Sequence, residues 1–79
     1  MDWIQRPADA DPAWPAHELR KHLTHLMVAF KMSDGRQISG VLDLVASDRI
    51  DLDTDAGPVP VDVRDIVAYA IVSRHIERA

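Results

Sequence analysis

Leu26 to Val45 reads LMVAFKMSDGRQISGVLDLV, and the fold follows from how this stretch is parsed. Leu26, Val28, Phe30 and Met32 recur at every second residue, with Met27, Ala29 and Lys31 between them. That period places one row of apolar side chains on one face of a strand. The second arm repeats the device, with Ile38, Gly40, Leu42 and Leu44 on one parity and Gln37, Ser39, Val41 and Asp43 on the other. Between the arms stands Ser33-Asp34-Gly35-Arg36, in which Asp-Gly signals a two-residue type I′ turn because Gly takes positive φ without steric cost. The stretch is therefore a hairpin with matching buried faces. Gly40, in the middle of the second arm, marks the place where that strand bends.

Working outward, the residues downstream add three strands. Arg49-Ile50-Asp51-Leu52-Asp53-Thr54 alternates strictly, with Ile50 and Leu52 inward and Asp51 and Asp53 outward. After the turn Asp55-Ala56-Gly57-Pro58, Val59 to Val63 alternates again, and Pro60 makes this strand an edge or sets its proline outside the ladder. Ile66 to Ser73 is apolar on both parities, as expected of a strand covered on both sides. Upstream, Asp11-Pro12 suits a helix start, although Pro15 is a second candidate for the first helical position. Leu19, Leu23 and Leu26 supply the helical stripe.

The expected architecture is one domain over 1–79, mainly β with one N-terminal helix. Residues 1–11 form an extended arm with Trp3 and Ile4 pinned onto the sheet, 12–25 a helix, 26–73 a five-stranded small antiparallel barrel and 74–79 a polar tail. Curling is the economical way for so few strands to hide their edges.

Composition narrows the function. With no Cys there is no disulfide, zinc–thiolate site or thiol nucleophile. No apolar stretch approaches the roughly 20 residues of a membrane span, and the N-terminus has no basic region followed by an apolar run, so the expectation is a soluble cytoplasmic protein. The net charge is −4, and residues 43–65 carry seven Asp against Arg49 and Arg64. Such a face attracts basic proteins and repels nucleic acid.

A leading helix, Asp34-Gly35, Gly40-Val41-Leu42 and Ile50-Asp51-Leu52 together resemble the Sm-like barrel over about residues 14–73, an alternation that SH3-like barrels share. Within that fold the chain is most similar to the Rof-type proteins, small acidic inhibitors of the transcription terminator Rho. The similarity rests on Trp3, Gln5 and Pro7, on Asp9 and Asp11 before the helix, on Glu18-Leu19, His25-Leu26-Met27, Asp34-Gly35 and Asp43-Leu44-Val45. It departs from that family in lacking an N-terminal Cys and in reading Val61-Asp62-Val63-Arg64-Asp65 where the family has Leu-Arg-Leu-Asp.

The resemblance implies a non-enzymatic antagonist of Rho-dependent termination that covers the RNA-binding surface of Rho. The candidate partner-binding residues are Asp9, Asp11, Trp14 and Glu18 at the helix, with Asp51 and Asp53 on the acidic strand. Trp14 is equally a lid on the core, and the acidic set Asp48, Asp51, Asp53, Asp55 and Asp62 equally the solvated outside of strands. The alternatives are an Sm-like ring that binds RNA through Lys31, Arg36, Arg74 and Arg78, or a phage-type inhibitor of another host protein.

Neither a metal nor another cofactor is expected. His17, His22 and His25 read as solvated or capping histidines, and Asp51-x-Asp53-x-Asp55 lacks the glycine of a calcium loop, where Ala56 stands. Ser33, Ser39, Ser47 and Ser73 lie in no nucleophile motif, which points away from an enzyme.

Overall fold

The computed structural model describes residues 2–21 and 26–74. The chain runs β1 (Ile4–Gln5), α1 (Trp14–Leu19), β2 (Leu26–Met32), β3 (Gln37–Val45), β4 (Arg49–Thr54), β5 (Gly57–Asp62), a 3-10 turn (Val63–Asp65) and β6 (Ile66–Arg74). All six strands pair antiparallel in one sheet, in the order β1-β6-β2-β3-β4-β5. The protein is thus mainly β with one short helix, as read from the sequence, but two parts of the expectation need correction. There are six strands rather than five, because the arm contributes β1 by pairing Ile4 with Tyr69 and Gln5 with Ala68. And the sheet is open rather than a closed barrel, since β1 and β5 end it as edges.

The β2–β3 hairpin forms as expected, with one residue more in its loop. Met32 N donates to Arg36 O (2.8 Å) and Gly35 N to Met32 O (3.0 Å), so residues 33–35 make the turn, with Gly35 at φ 92°. A three-residue loop of this kind needs its left-handed residue last, which is where Gly35 stands. Gly40 is not where the strand changes register. The irregularity in the β3–β4 ladder falls between Leu42 and Leu44, leaving Asp43 as the extra residue. Gly40 instead admits a close neighbour, for a Cβ built there would lie 2.8 Å from Asp53 O and 3.2 Å from Leu52 Cβ.

One face of the sheet holds the core: Leu26, Val28, Phe30 and Met32 of β2, Leu42, Ile50, Leu52, Val61, Val63, Ile66 and Tyr69. Burying each large aliphatic side chain contributes about 1.5–3 kcal/mol, and α1 closes this face by adding Trp14, Ala16 and Leu19. The helix is shorter than the expected 12–25. It starts at Trp14, places Pro15 in its first turn, where amides have no intrahelical partner, and gives way to a turn at Arg20 and Lys21. Leu26 belongs to β2 rather than to the helical stripe; Leu23, with His22 and His25, lies outside the described residues.

Strand β6 is covered on both sides over only part of its length. Ile66, Ala68, Tyr69 and Ala70 are buried, on both parities, but Val67, Ile71 and Val72 are 37%, 38% and 42% exposed, so the cover does not extend along the whole strand. β5, with Pro58 and Pro60, is an edge as expected. Among the described residues no helix is long and apolar enough to cross a membrane.

Candidate functional site

Besides the β1 pairing, the arm that precedes α1 is held by the side chain of Arg6. Arg6 donates from Nε to Ile66 O (2.9 Å), from Nη2 to Val63 O (2.7 Å) and from Nη1 to Asp11 O (3.3 Å). Its guanidinium carbon also lies 5.5 Å from the centroid of the Trp14 ring. Arg6 therefore ties the arm to the 3-10 turn, to the start of β6 and to the entry of α1. Asp11 Oδ1 accepts from Ala13 N (2.8 Å), and Asp11 O accepts from Trp14 N (2.8 Å), which orders the approach to the helix. Between this approach and the β3–β4 turn lies a groove of about 450 Å³, lined by residues 11–13, Ser47, Asp48, Val63 and Arg64.

The candidate residues divide between two faces. Asp9 and Asp11 are exposed beside α1, and Glu18 on α1 is half-exposed and accepts from Lys21 Nζ at 3.1 Å. Trp14 is a core residue, 9% exposed, with its ring 5.3 Å from that of Tyr69 and tilted by 51°. Of the two readings held open for it, the structure places the indole as a lid. Asp51 and Asp53 share the parity opposite to the buried Ile50 and Leu52, so they point away from the face that α1 covers. The structure does not bring them together with Asp9, Asp11 and Glu18. It does bring Asp48 to Asp11, across the groove.

Several carboxylates, two in the acidic stretch and Asp34 before it, are matched by neighbouring cations. Asp62 Oδ2 accepts from Arg64 Nη2 (2.8 Å) and Asp34 Oδ2 from Arg36 Nε (2.7 Å). Arg49 Nε stands 2.9 Å from Asp51 Oδ1, although its N–H is not aimed at that oxygen, which is buried without a donor. Solvent-exposed pairs of this kind add little to stability, because water screens them. Their larger effect is on the outward field, which loses Asp51 and Asp62. Among the described residues Asp9, Asp11, Asp43, Asp48, Asp53 and Asp55 form no ion pair.

The cations are more fully engaged than the anions. Arg36, Arg49, Arg64 and Lys21 face carboxylates, Arg6 binds carbonyls, and Lys31 Nζ lies 4.5 Å from the centre of the Trp3 ring. Of the residues considered for RNA, Lys31 and Arg36 are thus occupied and Arg78 lies outside the described residues. Among the described residues no three His, Asp or Glu side chains converge as metal ligands. Asp51 and Asp53 sit on a strand and Asp55 in the turn after it, an arrangement without a calcium-binding loop.

Arg64 sets the protonation of its neighbour. Its side-chain and backbone N–H groups hold the Asp62 carboxyl down at about 2, from an ordinary 3.8. The backbone N–H of Arg36, followed by its guanidinium, lowers Asp34 in the same direction, and the Asp62 carboxylate raises Arg64. Burial pushes the Tyr69 hydroxyl up, and the charge of Glu18 adds to the effect. Asp62 binds its proton less tightly folded than unfolded. Its pairing therefore stabilises the fold fully above about pH 4, and this contribution fades as pH falls through 2. A carboxyl-carbon NMR titration is expected to give Asp62 a midpoint near 2, returning toward 3.8 in Arg64→Ala. A midpoint that ignores the substitution would contradict the pairing.

No known protein family, curated protein or solved structure matches the chain.

Proposed function

We propose that this protein is a non-enzymatic regulator that binds a basic protein surface, and that its partner is Rho, as the resemblance to Rof-type inhibitors implies. The observation that carries the reading is an imbalance of engagement. Most described Lys and Arg side chains are consumed by internal contacts, whereas Asp9, Asp11 and Asp48 stand exposed and without ion pairs among the described residues. Carboxylates left in this state attract guanidinium and ammonium groups, raise the encounter rate and form charge-assisted hydrogen bonds at contact. The groove beside α1, with Asp11 and Asp48 on its walls, can receive one long basic side chain. Covering a nucleic-acid site with matching negative charge would exclude RNA by competition and by bulk.

Titration of purified Rho tests this directly. The triple variant D9N/D11N/D48N is expected to weaken binding at least about tenfold, or 1.4 kcal/mol, with most of the loss in the association rate at low salt. Asparagine at position 11 still offers an oxygen to Ala13 N, so the helix entry is preserved. Wild-type affinity in the triple variant would remove this surface from the interaction, and no binding of wild type to Rho would remove the partner.

A further inference from the structure

An antiparallel strand turns the N–H and C=O of alternate residues toward alternate sides. In β5 this parity is set by the ladder. Val63 N donates to Asp48 O at 3.3 Å, and Val61, Val59 and Gly57 face Ile50, Leu52 and Thr54 in the same rhythm. Residues 57, 59 and 61 therefore direct their amides to β4, while 58, 60 and 62 direct theirs away from the sheet. The first two of those outward positions are Pro58 and Pro60, both exposed. The free side of β5 thus offers carbonyl oxygens but no N–H before Asp62. An incoming strand would find acceptors without donors, and two pyrrolidine rings in its path.

We propose that Pro58 and Pro60 together block strand addition at β5, so that the sheet cannot extend from this edge. The ladder to β4 has no use for proline at either position, since neither outward amide would bond to it. Without the two rings, the stretch Gly57–Asp62, with its β-branched Val59 and Val61, would be an exposed, pairing-competent edge of the kind that drives association.

The consequence reaches the whole assembly. At the other end of the sheet, β1 covers β6 only at Ala68 and Tyr69, with Arg6 N adding a bond to Val67 O (2.9 Å). A head-to-tail ring or filament built by strand pairing must join the two unlike ends of the sheet, β5 of one copy to β1 or the uncovered part of β6 of the next. The prolines forbid that joint. The self-pairing left joins the β1–β6 end of one copy to the same end of a second, which closes at two chains.

Sedimentation velocity on wild type, P58T, P60T and P58T/P60T decides the matter, with far-UV circular dichroism to verify folding. Wild type is expected to remain monomer or dimer at every concentration. The double variant, with both N–H groups restored, is expected to gain mass continuously with concentration, by about a doubling or more, and each single variant less. A folded double variant that sediments as wild type overturns the proposal. So does a wild-type assembly larger than a dimer, or a double variant that no longer folds, which would assign the prolines to the fold rather than to the edge.

Discussion

Gly40→Ala is expected to lower stability by about 3 kcal/mol, the upper end of what forcing atoms into a packed site costs. The added methyl would stand 2.8 Å from Asp53 O, 3.1 Å from Thr54 Cγ2 and 3.2 Å from Leu52 Cβ. The first of these is backbone in the partner strand, and Leu52 is fully buried, so neither can move aside without opening the β3–β4 ladder. In a domain this small the loss corresponds to a fall of roughly 15 °C in Tm. Urea unfolding at unchanged m-value measures it. Gly35→Ala is the control: nothing lies within 4 Å of a Cβ there, and only the backbone angle of 92° opposes the change. That strain is about 1–2 kcal/mol. If the two variants were equally stable, close approach at Gly40 would not be the reason for its glycine.

Arg6→Ala is expected to cost about 2–3 kcal/mol. Hydrogen bonds from a charged donor contribute roughly 1.5–3 kcal/mol each. Those to Ile66 O and Val63 O are part-buried and the one to Asp11 O is exposed, so the sum is discounted for water that can replace the lost donor. Arg6→Lys should recover less than half of the loss, because an ammonium cannot span three carbonyls as the planar fork does. Amide exchange distinguishes this account from general destabilisation. Protection should fall first in β1 and the 3-10 turn and remain in β2 and β3. A variant within 0.5 kcal/mol of wild type would show that the arm is held by its strand pairing alone.

The parts of this fold that could be read from the sequence are those fixed by neighbours in the chain. The hairpin needed only the alternation from Leu26 to Leu44 and a glycine at residue 35, and β4 only the alternation of Ile50 and Leu52 with two Asp. Pro60 announced an edge because a proline removes a donor wherever it stands. What stayed hidden depends on partners distant in sequence. A two-residue strand such as β1 has no period, and its partners Ala68 and Tyr69 lie more than sixty residues away. Arg6 meets carbonyls 57 and 60 positions further on. Whether six strands close on themselves is equally a matter of such pairings, which is why the expected barrel proved to be an open sheet.

For the candidate site the signal was present but differently placed. In Asp34-x-Arg36, Arg49-x-Asp51 and Asp62-x-Arg64, opposite charges are two apart; on β4 that spacing puts both side chains on one face, and in the two turns the Asp carboxylate also accepts from the Arg backbone N–H, which brings the side chains together. Reading those pairs would have subtracted Asp51 and Asp62 from the acidic face in advance. The meeting of Asp11 with Asp48 across a groove had no such local cue.

The two tryptophans occupy different surroundings, and this gives the molecule a pair of built-in optical reporters. Trp14 is sealed against Tyr69, so its emission tracks the integrity of the interior. Trp3 is half-exposed over Lys31, so its emission and its access to an aqueous quencher track whether the strap lies down on the sheet. Detachment of the strap and loss of the interior are therefore separable by fluorescence, without attaching a dye.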